Sequence, residues 1–277
     1  MTASDHISPT AHYTGEVWRR NGLSHPWLGT VEGRAMYDAL HPIMVASAAA
    51  GGPSLEAYLL ARHRAIDALL EAAIARHGVS QVIEIAAGLS PRGWRFANRH
   101  GDGLTYVEAD LPEMAARKRR ALRRIGSLTA NHRVADLDAL RAGGPHSLAA
   151  LAGELDPTRG LAIVTEGLLG YLPTGGVVDL WTRCAQTLEA FPTGRYLSDL
   201  HLGNAITPAV RVVRLLLAGF VRGGVYLHFH DAAEAEDQLR ACGFATAAVR
   251  PAGRVAGSGP GAGRSGAMAN ILEASTT

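Results

Sequence analysis

Three acidic residues stand at the ends of segments that the sequence predicts as buried β-strands. They are Asp110, Asp136 and Glu166, each directly after a strand-like run. In an open α/β sheet, ligands bind at the carboxyl ends of the strands, where an acidic side chain can accept hydrogen bonds from ribose hydroxyls. The spacing therefore predicts that the three carboxylates share one ligand site.

A small-residue turn precedes these carboxylates. The run 82–87 is apolar and rich in β-branched residues, Gly88 follows it, and Ser90-Pro91 signals a turn. Ala86 and Gly88 leave room for a ligand to approach the backbone closely. The segment has no G-x-G-x-x-G pattern and no P-loop lysine, so a nucleoside without a diphosphate fits it better than NAD or ATP. This favours S-adenosylmethionine (SAM).

The elements that must position these residues change character near residue 80. Residues 1–80 read as a helical N-terminal cap, in which Ser54 caps a long helix over Leu55–His77. Over residues 81–277, strands and helices alternate, which indicates βαβ units. The predicted fold is α/β, a Rossmann-like, seven-stranded, mostly parallel sheet with helices on both faces.

The predicted elements of this second part can be stated by range. The strands are 82–87, 104–108, 132–135, 161–165, 195–199, 245–250 and 268–273. The helices are 112–126, 137–155 with breaks, 176–190, 204–221 and 232–242, and the Gly-rich run 252–266 is a mobile loop.

The composition argues against several other classes of protein. The formal net charge is +2, which does not suggest a nucleic-acid partner, and the basic run 117–120 is predicted as a solvated helix face. The two cysteines and twelve histidines show no metal-ligand spacing. We find no secretory signal and no membrane-spanning apolar run, so a cytoplasmic enzyme without a membrane partner is expected.

Four segments together resemble one family. They are VIEIAAGLSPR (82–92), YVEADLPE (106–113), VADL (134–137) and TEGLLGYLP (165–173). In this order they are similar to the leucine carboxyl methyltransferase and polyketide O-methyltransferase group of class I SAM-dependent methyltransferases. In that sheet the last strand is antiparallel. Two positions depart from the family pattern: Ala86 replaces its first glycine, and Ser90 replaces the aspartate after Gly-Leu.

The resemblance implies a role for each matching residue. Ala86 and Gly88 would line the cofactor, and Asp110 would bind its ribose. Asp136 and Leu137 would hold the adenine. Glu166 would face the amino group of the methionine moiety, and Arg62 would pair with its carboxylate.

The catalytic residues are less constrained by the pattern. His201 is a candidate base or orienting group, and Tyr171 could bind substrate or cofactor. Tyr13, Trp18 and Trp27 could form an apolar lid, since an aromatic face attracts a cation such as a sulfonium.

The predicted function is SAM-dependent O-methylation of a carboxylate or hydroxyl of a small molecule, as in secondary metabolism. Two alternatives stay open. One is a cyclase that converts SAM into a four-membered cyclic amino acid and methylthioadenosine. The other is a non-catalytic nucleotide-binding regulator, because fold does not fix function.

Overall fold

A computed structural model describes residues 9–49, 54–203, 226–255 and 268–277. Its helices are α1 (Pro9–Arg20), α2 (Val31–Ala49), α3 (Leu55–His77), α4 (Arg92–His100), α5 (Pro112–Ile125), α6 (Leu148–Ala152), α7 (Thr174–Leu188) and α8 (Ala232–Ala241). Its strands are β1 (Val79–Ile85), β2 (Thr105–Asp110), β3 (His132–Asp136), β4 (Gly160–Thr165), β5 (Gly194–Leu200), β6 (Thr246–Pro251) and β7 (Asn270–Ser275).

The strands form one sheet in the order β3-β2-β1-β4-β5-β7-β6. Strands β1 to β5 pair in parallel, whereas β7 runs antiparallel to both β5 and β6. The strand order reverses between β1 and β4, which is where open α/β sheets leave a crevice for a ligand. The predicted mostly parallel sheet with an antiparallel last strand is confirmed.

Helices cover both faces of the sheet, as predicted. On one face, Trp181 of α7 and Leu239 of α8 share a core cluster with Ile163 of β4. On the other face, Ile66 of α3 and Phe96 of α4 pack with further strand residues. Burial of apolar surface on both faces explains why the central strands are nearly continuous apolar runs.

The N-terminal helices form a third cluster. Tyr13 and Trp18 of α1, Tyr37 of α2, and Leu55 and Leu59 of α3 are buried together. The same α3 also packs on the sheet through its later turns. Helix α3 thus connects the helical layer to the sheet, and the division of the chain at residue 80 stays a prediction.

Local signals set the ends of α3. Ser54 Oγ accepts a hydrogen bond from the Ala57 N–H, and Gly78 ends the helix in the left-handed region at φ 69°. These are the preferred cap residues at the two ends of a helix. The predicted range Leu55–His77 is confirmed.

The predicted helix with breaks over 137–155 is much shorter than expected. Residues 137–155 contain only the short α6, because Gly143, Gly144 and Pro145 place turns through most of this segment. The predicted helix 204–221 and most of the predicted loop 252–266 lie outside the described residues. Within the described residues, no helix combines the length and the apolar character needed to cross a bilayer.

Candidate active site

A cavity of about 380 Å³ lies at the carboxyl ends of β1, β2 and β4. Helices α1 and α3 cover it, and much of its lining is apolar. Seven of the nine residues predicted for the site line this cavity: Arg62, Ala86, Gly88, Asp110, Glu166, Tyr171 and His201. A cavity of this size, at this edge of the sheet, is typical of a small-molecule site.

The turn after β1 forms the floor of the cavity. Ala86 and Gly88 have φ values of 53° and 49°, so both adopt the left-handed region. The Gly88 N–H donates to Asp110 Oδ2 at 2.7 Å, and the Leu111 N–H donates to Asp110 Oδ1 at 2.8 Å. Asp110 therefore ties the turn to the end of β2, and burial raises the pKa of its carboxyl.

Lys118 supports this turn from behind, which corrects the prediction of a fully solvated basic face. Its Nζ donates to the Ser90 carbonyl at 2.6 Å and forms a buried ion pair with Glu108. His132 Nε2 lies 2.7 Å from the other oxygen of Glu108. A lysine is buried only when it is paired, and its partners come from neighbouring strands that helical periodicity does not reveal.

A buried ion cluster stands beside the cavity, centred on Arg92. Its fully buried guanidinium donates to Asp67 at 2.7 Å, to Glu84 at 2.7 Å and to Glu166 at 2.6 Å. His63 Nδ1 lies 2.8 Å from the same Glu166 oxygen that receives Arg92. Electrostatic interactions with His63, Arg92 and Arg62 hold the pKa of the Glu166 carboxyl well below its usual range, despite its burial.

Arg62 connects this cluster to β5. Its Nε donates to Glu166 Oε1 at 3.0 Å, and its Nη1 donates to Asp199 Oδ2 at 3.1 Å. Asp199 Oδ1 accepts from the Gly167 N–H at 2.7 Å, which fixes the loop after β4. The predicted arginine and glutamate are therefore paired with each other at the cavity wall.

Asp136 and Leu137 do not line the cavity. Asp136 pairs in register with Asp110, and its Oδ1 accepts from Arg119 Nη2 at 3.1 Å. The Leu137 N–H donates to the Asp110 carbonyl at 2.8 Å, and its side chain is buried in the core. Both lie next to the cavity edge, and their adenine-binding role stays a prediction.

The two predicted catalytic residues lie on the cavity wall. Tyr171 OH is 2.6 Å from Thr10 Oγ1 of α1, which joins the loop after β4 to the cap. His201 Nε2 is 2.9 Å from Tyr58 OH of α3. Burial raises the pKa of the Tyr58 phenol, so it keeps its proton.

The predicted aromatic lid forms in part. Tyr13 and Trp18 of α1 line the cavity. Trp27 does not line it, because its ring lies on the surface, 54% exposed, with the Arg124 guanidinium 5.3 Å from its centre. Trp27 lies in a three-residue 3-10 helix, Pro26–Leu28, which is too short to give a periodicity from which the direction of the side chain could be predicted.

Sequence reasoning missed several residues that build the site. They are Tyr58, Asp67, Arg92, Lys118 and Asp199. Arg92 lies two residues after Ser90, in the turn motif after the first predicted strand. Two of its acidic partners, Asp67 and Glu166, are distant from it in sequence. A charged residue inside a turn motif that opens a helix is the one signal that could have found it.

Residues 25–185 match the leucine carboxyl methyltransferase family. A "putative S-adenosyl-L-methionine-dependent methyltransferase" of Mycolicibacterium smegmatis is 34% identical over 163 residues, which cover 58% of this chain and 50% of that protein. A protein of the same description from Mycobacterium avium is 43% identical over 97 residues, covering 35% and 29%. The chain thus spans half or less of the length of these relatives.

Among solved structures, a DUF574 family protein from Streptomyces avermitilis is similar over 97% of each chain. The TM-score is 0.68 and the sequence identity 14%. At this identity the likeness shows a shared fold.

Proposed function

The chain belongs to the leucine carboxyl methyltransferase family, and we propose that it is a SAM-dependent methyltransferase that acts on an oxygen atom of a small molecule. The observation that carries the proposal is the cavity at the strand order reversal. It brings together the small-residue turn, Asp110 and the Arg62–Glu166 pair. Two relatives that match part of the sequence are named putative S-adenosyl-L-methionine-dependent methyltransferases, which supports the cofactor and the reaction class.

The residues present fit SAM. The Gly88 turn gives backbone access, and Asp110 has lone pairs left for ribose hydroxyls beyond its two backbone bonds. Glu166 suits the ammonium group, and Arg62 suits the carboxylate, of the methionine moiety. The rings of Trp18 and Tyr58 in the lining suit a positive sulfonium.

When bound, SAM would supply an electrophilic methyl group on sulfur. The protein's own contribution is to orient the acceptor and to exclude water, which α1 does by covering the cavity. A hydroxyl acceptor also needs a proton acceptor, and His201 lies in the lining.

The test is calorimetric titration with SAM and with S-adenosylhomocysteine. We expect both to bind to the wild-type protein. Asp110→Asn should weaken binding by about tenfold or more, because it removes the charge and one acceptor oxygen. Asp179→Asn is the matched control, since Asp179 is exposed on α7 away from the cavity, and its affinity should equal that of the wild type.

No heat with either ligand would contradict the proposal. Incubation with SAM and a metabolite extract should yield S-adenosylhomocysteine. Methylthioadenosine from SAM alone would instead indicate the cyclase. Tight binding without any turnover would indicate a regulatory protein.

A further inference from the structure

The charges around the cavity do not favour a methyl acceptor that carries a carboxylate. The buried ion cluster beside it contains three arginines, one histidine and four carboxylates: Arg62, Arg92, Arg95 and His63 with Asp67, Glu84, Glu166 and Asp199. Asp110 and Glu113 also line the cavity, and neither forms an ion pair with the described residues. The ionic surroundings are thus acidic on balance.

Arg62 is the one arginine or lysine among the described lining residues. Its Nε and Nη1 already donate to Glu166 and Asp199. Under the proposed function it also faces the carboxylate of the methionine moiety. A negatively charged acceptor would therefore meet no unmatched cation in the described lining, and burying an unpaired charge is costly.

A neutral hydroxyl has a partner in the same lining. Tyr58 OH and His201 Nε2 are 2.9 Å apart, and both side chains line the cavity. In the imidazole tautomer with its proton on Nδ1, the Tyr58 O–H donates to His201 Nε2, while the Tyr58 oxygen remains able to accept from a second hydroxyl. The pair connects α3 to the end of β5, so two separate elements hold it in place.

We infer that the acceptor presents a neutral hydroxyl group, a phenol or an alcohol, and that the Tyr58–His201 pair receives its proton. This rests on the proposed methyl transfer. In that reaction the carbon–sulfur bond breaks with its electrons left on sulfur, and a carbon–oxygen bond forms. The hydroxyl proton moves to Tyr58 as the Tyr58 proton moves to His201 Nε2. A carboxylate acceptor would need no such pair.

Binding of a matched pair of probes tests the inference without turnover. The probes are para-cresol and para-toluate, which share a methylphenyl body and differ in the hydroxyl or carboxylate. Both are titrated by NMR into the protein saturated with S-adenosylhomocysteine, at neutral pH. We expect para-cresol to bind about tenfold more tightly than para-toluate. Equal binding, tighter binding of para-toluate, or binding of neither probe would overturn the inference.

Variants connect the preference to the named pair. Tyr58→Phe and His201→Asn should each weaken para-cresol binding by about fivefold or more, whereas para-toluate binding should fall by less than about twofold. Tyr226→Phe is the matched control, because Tyr226 is 47% exposed and outside the cavity lining, and it should bind like the wild type. Unchanged para-cresol binding in both pair variants would overturn the role of the pair.

The two proposals fail in different ways. If S-adenosylhomocysteine itself does not bind, the proposed function fails, and this inference falls with it. If it binds and para-toluate is preferred, methyl transfer stands, and only the hydroxyl assignment is wrong.

Discussion

Ala86 holds a backbone conformation that glycine adopts more readily. Its φ is 53°, in a turn where the resembling family has glycine. A left-handed residue with a Cβ costs about 1–2 kcal/mol, whereas glycine carries no such penalty. We expect Ala86→Gly to raise the free energy of unfolding by about 0.5–1 kcal/mol in urea denaturation, after the entropy cost of the glycine.

Ala87→Gly is the control for that change. Ala87 is buried and next in sequence, but its φ is not positive. Ala87→Gly relieves no backbone strain, so it should lower the free energy of unfolding by about 0.5–1 kcal/mol. Equal effects of the two substitutions would show that strain at Ala86 is unimportant.

Lys118 is the second residue whose role can be isolated. Lys118→Met leaves Glu108 buried with only His132 as a side-chain partner, and frees the Ser90 carbonyl. Removing one partner of a buried pair costs about 3–5 kcal/mol. We expect a loss near the lower end of this range in denaturant unfolding, together with weaker S-adenosylhomocysteine binding by calorimetry.

Arg120→Met is the matched surface change on the same helix. Arg120 is exposed, so its replacement should alter stability by no more than about 0.5 kcal/mol. A loss of stability as large as that of Lys118→Met would mean that removal of a positive charge from the helix, and not loss of the buried ion pair, destabilises the protein.

At the scale of elements, the crossing of α1 and α2 depends on Gly33. A Cβ added there would overlap the His12 carbonyl. Thr30 Oγ1 accepts from the Gly33 N–H at 2.9 Å and lies 2.9 Å from His12 Nδ1. Because the obstacle is backbone, it cannot rotate away. Gly33→Ala should therefore destabilise by about 1–3 kcal/mol, and lower the melting temperature, since it pushes α1 off α2.

Gly175→Ala provides the comparison in another helix. Gly175 lies in the first turn of α7, with no atom within 4 Å of an added Cβ. Alanine is the better helix former, so this variant should be neutral or slightly more stable. A similar loss in both variants would contradict the close approach of α1 and α2.

The sequence was sufficient for elements whose signals are local. Ser54 and Gly78 mark both ends of α3, and apolar runs locate the central strands. It was not sufficient for 137–155, where alanines and leucines suggested a helix that glycine and proline interrupt. The buried ion cluster could not be predicted either, because Arg92 meets Asp67 and Glu166 only after the sheet and α3 have packed.

For the whole molecule, several buried groups connect stability to pH. Burial lowers the pKa of His12 and His228, and cationic neighbours lower the pKa of Asp67, Glu108 and Glu166 despite their burial. In each case the unfolded chain takes up a proton at a higher pH than the folded one. The contribution of each group to stability is therefore fully present above the pKa that the group has in the unfolded chain, and it is lost as the pH falls.

Two windows follow from these shifts. Below the ordinary histidine pKa of 6.5, the two histidines should reduce stability gradually. Below the ordinary pKa values of 4.5 for glutamate and 3.8 for aspartate, the carboxylates should steepen the loss. Asp110 opposes them, because burial raises its pKa, and the folded protein binds that proton first.

Urea unfolding from neutral pH down to pH values near 3 measures the combined effect of these groups on the free energy of unfolding, at up to about 1.4 kcal/mol per pH unit for each extra proton bound by the unfolded chain. We expect a shallow decline followed by a steep one. The double variant His12→Gln and His228→Gln should flatten the shallow part and leave the steep part, since the carboxylates remain paired. Stability that rises as the solution is acidified would mean that the raised pKa of Asp110 outweighs the paired carboxylates, and that the ion cluster beside the cavity is not formed in solution.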